Sequence, residues 1–333
     1  MSPIPIMLPK ARTPAPVPPA RPWWSFHARV AAAVTTAAAV AAAVFGSPPL
    51  PAQLAALVVG VALLGVPHGA LDHLLGRALL RPRLGDRWPI AFGLAYLGLA
   101  TVVIVSWWLA PVASLVAFLA LSAVHFGLGD TRPNGTRALF AVEVAVRGSL
   151  PILLPTLFHT REVTRLFGWL VGNAAALSTD AVIRVAGATA LALAPAMLWL
   201  CVHHFRRWLT YGRAEGGEVL LEISTLVGLF WLAPPLISFL FYFCAWHSLR
   251  HTLETSEALI PGKLKRALGH FALLAAPLTA ATLVLAISAW SILRATGMGA
   301  EPAILRVVFV GLAALTVPHM VLCAMAQTRP RGL

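Results

Sequence analysis

In the stretch FYFCAWHSLRHTLE, residues 241 to 254, His247 and His251 stand four apart at the foot of an apolar run. An α-helix advances about 100° per residue, so the two rings differ by about 40° and lie about 6 Å apart on one face, close enough to share a metal ion. The chain has 11 histidines, and several others also sit near the ends of apolar runs: His68 and His73 in GVPHGALDH, His125 in SAVHFGLGD, the pair His203 and His204, and His319 in TVPHMVL. Ionisable groups inside apolar spans are costly unless paired, bound or facing a cavity. Imidazole is the commonest metal ligand. With no thiolate pair or carboxylate cluster to compete, this set suits an all-nitrogen site for iron, copper or zinc. Cys201, Cys244 and Cys323 lie within apolar runs and form no C-x-x-C pair, which argues against a thiolate zinc site and a disulfide framework.

Spacing sorts the histidines. His68 and His73, five apart, differ by about 140° on an ideal helix, so at most one of them joins the site of His247 and His251. His68 follows Pro67 and precedes Gly69, where a helix can bend and a neighbour can come close. Asp72, four residues on, either accepts the His68 ring N–H or pairs with a basic residue such as Arg77. His125 is followed by Gly127 and Gly129, which again permit close approach, and Asp130 marks the water boundary. His203 and His204 precede Phe205-Arg206-Arg207, so a role at the membrane surface stands beside a metal role. His319 lies deeper, as ligand or cavity wall. Glu143 and Arg147, an i,i+4 pair, neutralise one another. Glu222 either reaches the histidine layer or stays at the surface.

The elements that must position these residues are membrane spans. Of the 333 residues 59% are hydrophobic and 11% charged, with a mean hydropathy of +0.82. Polar side chains are too few to cover so much apolar surface in water, so the bilayer is the solvent. Stretches long enough to cross it fall at 29–46, 52–75, 88–110, 112–128, 137–158, 181–204, 218–234, 236–252, 270–293 and 303–325. This predicts an all-α polytopic transmembrane bundle of about ten spans. Leu109-Ala110-Pro111 and Ala233-Pro234-Pro235 are tight turns. Placing both termini in the cytoplasm puts most of the 25 lysines and arginines on the cytoplasmic side. The +13 net charge is thereby read as loop charge against an anionic leaflet, not as a nucleic-acid surface. Residues 1–28 read as a disordered, Pro-rich basic leader, 29–326 as the transmembrane catalytic bundle and 327–333 as a cytoplasmic tail. The first span has the composition of either a retained helix or a signal sequence. In this topology five helices carry histidine at a similar depth. No hydrolase or phosphate-binding motif is present.

GVPHGALDH, SAVHFGLGD, FCAWHSLRH and TVPHM, in this order, resemble the Brp/Blh family of bacterial membrane β-carotene 15,15′-dioxygenases, from about Ala56 to Met325. The resemblance implies a mononuclear Fe(2+) held by His68, His125, His247 and His251, with no catalytic residue beyond the ligands. It also implies cleavage of β-carotene, drawn from the bilayer, by O₂ at the central double bond into two all-trans-retinal. The protein would sit in the cell membrane and supply retinal to a rhodopsin-type protein. Asp72, His319, His73, His204 and Glu222 are then candidates to support the site or wall its cavity, and Phe126, Phe239, Tyr242, Phe243 and Trp246 to line a substrate tunnel, although aromatic residues also fill ordinary cores. Two other readings remain. H-x₃-H, H-x₄-H and His-His loosely echo the histidine boxes of membrane di-iron hydroxylases and desaturases, without the full H-x-x-H-H box. A non-catalytic carotenoid- or haem-binding protein is the other.

Overall fold

The computed structural model describes residues 22–132, 135–172, 176–212 and 216–327; the expected leader through residue 21 and the tail from 328 lie outside them. Among the described residues the chain is helical throughout, without strands. The helices are α1 (Pro22–Phe45), α2 (Leu50–Gly60), α3 (Val66–Gly69), α4 (Asp72–Leu84), α5 (Trp88–Leu109), α6 (Pro111–Asp130) and α7 (Arg137–Phe158). They continue with α8 (Thr160–Val171), α9 (Ala176–Tyr211), α10 (Gly217–Leu232), α11 (Pro235–Phe241), α12 (Leu249–Leu259), α13 (Leu264–Ala295) and α14 (Ala300–Gln327). Two segments wind as wider π-helix: Val61–Gly65 joins α2 to α3, and Tyr242–Ser248 joins α11 to α12.

Seven helical segments in the described residues are long and apolar enough to cross a membrane, the run Leu50–Leu109 counting as one. That run holds two of the stretches predicted from sequence. The stretch 218–234 becomes α10, whose 16 residues fall short of a full crossing. The stretch 236–252 is divided among α11, the π segment and α12. Both predicted turns are present, at Ala110 and at Ala233-Pro234. In each the proline that ends one run opens the next helix, because Pro111 and Pro235 occupy the first turn, where an N–H has no helical partner to lose.

Two expectations are corrected. The first helix begins at Pro22 rather than at 29 and is built into the bundle. It packs along α10, buries Trp24, Ala28, Ala31, Thr35 and Ala39, and receives the Trp246 indole N–H on Thr35 Oγ1 at 2.9 Å. The segment between the predicted spans 137–158 and 181–204, expected to be a connection, contains α8, too short to span, which buries Val163, Leu166, Leu170 and Val171 on one face. It ends at Gly172, whose φ of 93° suits glycine.

The centre of the bundle is α7, with 61% of its apolar stretch buried against 6% for α9. Glycine sets its distance from α6. A Cβ on Gly148 would stand 1.9 Å from the Ala123 carbonyl oxygen, and one on Gly127 2.2 Å from that of Val144. Backbones approach this closely in lipid only where side chains are absent. The same device joins α2 to α11 and the two π segments to each other: a Cβ on Gly60 would meet Leu240 at 2.2 Å, and one on Gly65 would meet Phe243 at 2.6 Å. Gly69, expected to serve such an approach, faces open space.

Candidate metal centre

His68 on α3, His125 on α6 and His247 in the second π segment converge, with one ring nitrogen of each within 4.8 Å of the others. His125 Nε2 and His247 Nε2 lie 3.0 Å apart. What the remaining nitrogens touch explains the aim of the rings. His68 Nδ1–H donates to the Gly65 carbonyl at the end of the first π segment, which leaves Nε2 for the cluster. His247 Nδ1 is buried, has no well-formed hydrogen bond and lies 3.4 Å from Asp130 Oδ1. Gly129 makes room for this ring, since a Cβ there would stand 2.9 Å from His247 Cε1.

His251 flanks the cluster, its ring 5.6 Å from that of His68 and 5.6 Å from that of His319. It is not among the three nitrogens that converge. His319 borders the same space, 5.3 Å from the His125 ring, with both nitrogens engaged: Nδ1 with Asp72 Oδ1 at 2.7 Å, Nε2 with Cys323 Sγ at 3.6 Å. Asp72 therefore serves His319 and the Tyr96 hydroxyl (3.0 Å), not His68 or Arg77. The chain turns at Ala70-Leu71, between His68 and His73, and His73 Nδ1–H donates to the Ala70 carbonyl at 3.0 Å, away from the cluster. His204 is buried but remote, its Nε2 2.9 Å from Glu143 Oε1. His203 stacks on Trp199. The histidine boxes of a di-iron enzyme are thus not gathered in one place.

Asp130 is 1% exposed and does not mark a water boundary. It accepts from the Tyr242 hydroxyl at 2.7 Å and from Arg250 Nη1 at 2.8 Å. Arg250 Nη2 reaches Glu222 Oε2 at 2.6 Å, Glu222 Oε1 meets Arg147 Nη2 at 2.8 Å, and Arg147 stands 3.8 Å from Glu143. Glu222 is therefore buried between two guanidiniums, and the main partner of Arg147 is Glu222 rather than Glu143. The sequence does not reveal this chain because its members are distant in sequence, Asp130, Glu222 and Arg250 resemble span-end charges, and Glu143 and Arg147 resemble a self-contained pair. The signal available was their number, since buried charges need partners. Of these three carboxylates, Asp130 is the one nearest the converging rings. Converging imidazole nitrogens, a buried His247 Nδ1 and a neighbouring carboxylate fit a divalent cation.

The cluster opens on a cavity of about 600 Å³ walled by His68, His125, His319, Asp72 and His73 at one end and by apolar side chains beyond. Phe126, Phe239 and Phe243 line it as expected. Tyr242 and Trp246 do not: both are fully buried in the core, Tyr242 on Asp130 and Trp246 between Thr35 and the Arg250 guanidinium. Trp88, Phe92, Tyr96 and Phe118 line it instead, and their helical spacing alone did not distinguish them from packing residues.

Comparison with known proteins gives the family. The family model described as Beta-carotene 15,15′-dioxygenase matches residues 59–327. The Beta-carotene 15,15′-dioxygenase of uncultured marine bacterium 66A03 is 30% identical over 271 residues, 79% of this chain and 90% of that protein. The Probable beta-carotene 15,15′-dioxygenase Blh of Halobacterium salinarum is 30% identical over 295 residues, 81% and 83% of the two chains. No solved structure matches. With most of its length matched by the family model and by both relatives, this membrane-embedded helical chain belongs to the β-carotene 15,15′-dioxygenase family.

Proposed function

We propose that this protein is an iron-dependent β-carotene 15,15′-dioxygenase. The observation that carries the reading is three converging imidazoles, two of which, His68 and His125, line an apolar cavity of about 600 Å³. His68, His125 and His247 would hold the iron, with His251 beside them as the fourth ligand. When bound, Fe(2+) supplies the activation of O₂ that oxidative cleavage of an unactivated double bond requires. The chain's own residues do the rest. The Gly65 carbonyl and Asp130 fix the rings of His68 and His247. Phe126, Phe239 and Phe243 give the polyene an apolar, aromatic wall beside the cluster and keep water from it. One C=C bond of β-carotene is broken, and each half takes one oxygen atom of O₂ as an aldehyde, so two retinal molecules account for every atom. Neither half gains or loses a proton, which agrees with a cavity whose ionisable side chains are gathered at the histidine end.

The apolar stretches of the sequence and the distribution of its basic residues support a multi-pass path through the cell membrane with both termini cytoplasmic, the histidine layer lying in the cytoplasmic half. Retinal released there enters the bilayer, where a rhodopsin-type protein can take it up. The test is purified protein in detergent with Fe(2+), O₂ and β-carotene. About one iron per chain, as a single histidine cluster allows, and retinal as the chromatographic product support the reading. Two irons per chain, or bound pigment without retinal, would overturn it.

A further inference from the structure

Among the described residues, the lining of the cavity beside the histidines is exposed in one region. Of its lining residues, the exposed ones are Pro89 and Leu97 on α5 and Pro277, Leu278, Ala281 and Leu285 on α13. Those contributed by α3, α4, α6, α14 and the second π segment are buried or half-buried. Leu97 and Leu285 are 63% and 65% exposed while still facing the cavity, so they stand at its rim. The rim is apolar on both sides. No charged residue occurs from Trp88 to Leu109 or from Phe271 to Leu293, and Thr282 turns its hydroxyl onto the Leu278 carbonyl at 2.9 Å. Both α5 and α13 pack against α14, which floors the opening with Leu312, Leu315 and Thr316. Pro277 removes a backbone hydrogen bond of α13 beside the gap, which favours a bend there. A mouth of this kind, between the uncharged stretches of two helices, faces hydrocarbon rather than water.

We propose that the gap between α5 and α13 is a lateral portal through which a carotenoid passes from the bilayer interior straight to the histidine cluster. The occupant is apolar and membrane-dissolved because nothing at the rim can hydrate a polar one, and the cavity behind it ends at the imidazoles. The proposal rests on the dioxygenase reading.

It is tested with Leu97→Trp and Leu285→Trp, which fill the rim without touching the histidines. Ile287→Trp, on α13, 64% exposed and outside the cavity, is the control. β-Carotene is supplied in liposomes, and three quantities are read: iron per chain, pigment retained through gel filtration, and the steady-state constants. The rim variants are expected to keep their iron, retain less pigment and lose about tenfold in kcat/KM through KM, with Ile287→Trp within about twofold of the parent. Equal behaviour of rim and control variants would overturn the portal, as would loss of pigment only in step with loss of iron. A parent protein that binds β-carotene but yields no retinal would instead defeat the dioxygenase reading and leave the pigment comparison intact.

Discussion

A neutral imidazole offers one N–H and one lone pair, so the partner of one nitrogen decides what the other can bind. His68 has spent its N–H on Gly65, and His247 turns Nδ1 towards Asp130, whereas both nitrogens of His319 have protein partners. We expect His68→Ala, His125→Ala and His247→Ala each to lower iron content about tenfold or more, and His73→Ala and His203→Ala to leave it near one per chain, read by elemental analysis. Asp130→Asn keeps the size of the side chain while weakening its pull on His247. Iron affinity should fall by about 10- to 100-fold. Tyr242→Phe, which removes only a hydroxyl from the same carboxylate, should cost less, as a metal titration would reveal. The histidines were legible in the sequence because imidazoles in apolar runs are conspicuous, whereas the i,i+4 geometry of His247 and His251 was not, since His247 lies in a π segment and His251 only flanks the three converging nitrogens. Asp130 was not, since its burial depends on Arg250 and Glu222 arriving from α12 and α10.

At the scale of elements, what aims the ligands is a departure from regular helix. A π turn widens the helix, and the two π segments here end three residues before His68 and enclose His247. Helical periodicity read along the sequence assumes regular winding, so the segments were legible as spans but not as bent ones. The break at Ala70-Leu71, which separates His68 from His73, was hidden for the same reason. Helix contacts were better encoded where glycine marks them: Gly127 was read as a close approach, and α7 is the helix that comes close. Gly148→Ala places a methyl group against the Ala123 carbonyl and the backbone of Gly127. Overpacking of this kind costs about 1–3 kcal/mol and should appear as a lowered Tm, whereas Gly69→Ala, facing open space, should be neutral. The first helix gives a second test. It lies outside the residues matched by the family model, yet Thr35 accepts from Trp246 next to His247, and His27 Nε2–H donates to the Ala245 carbonyl inside the π segment at 2.8 Å. Thr35→Val leaves the buried indole N–H unpaired and should destabilise by about 1–3 kcal/mol in thermal unfolding.

Across the whole molecule, the proposed iron joins segments that the sequence keeps far apart, α3, α6 and the link between α11 and α12, each already held by its own packing. The chain of buried charges runs beside them from His204 to Asp130 and ends with a carboxylate next to the histidines. Without a cation, the Asp130 carboxylate and the lone pairs crowded at the cluster are only partly compensated. With one, both are compensated. Metal binding to the folded state alone must therefore raise stability, by RT ln(1 + [L]/Kd), or about 2.7 kcal/mol at a hundredfold excess over Kd. We expect the Tm of detergent-solubilised protein to fall when iron is chelated and to recover when Fe(2+) is restored. In His247→Ala the Tm should be lower from the start and should no longer respond to either treatment. The response to iron separates a ligand from a packing residue, since Gly148→Ala should shift Tm by the same amount with and without metal. An iron response preserved in His247→Ala would remove His247 from the centre and with it the reading of the π segment as the element that carries the metal.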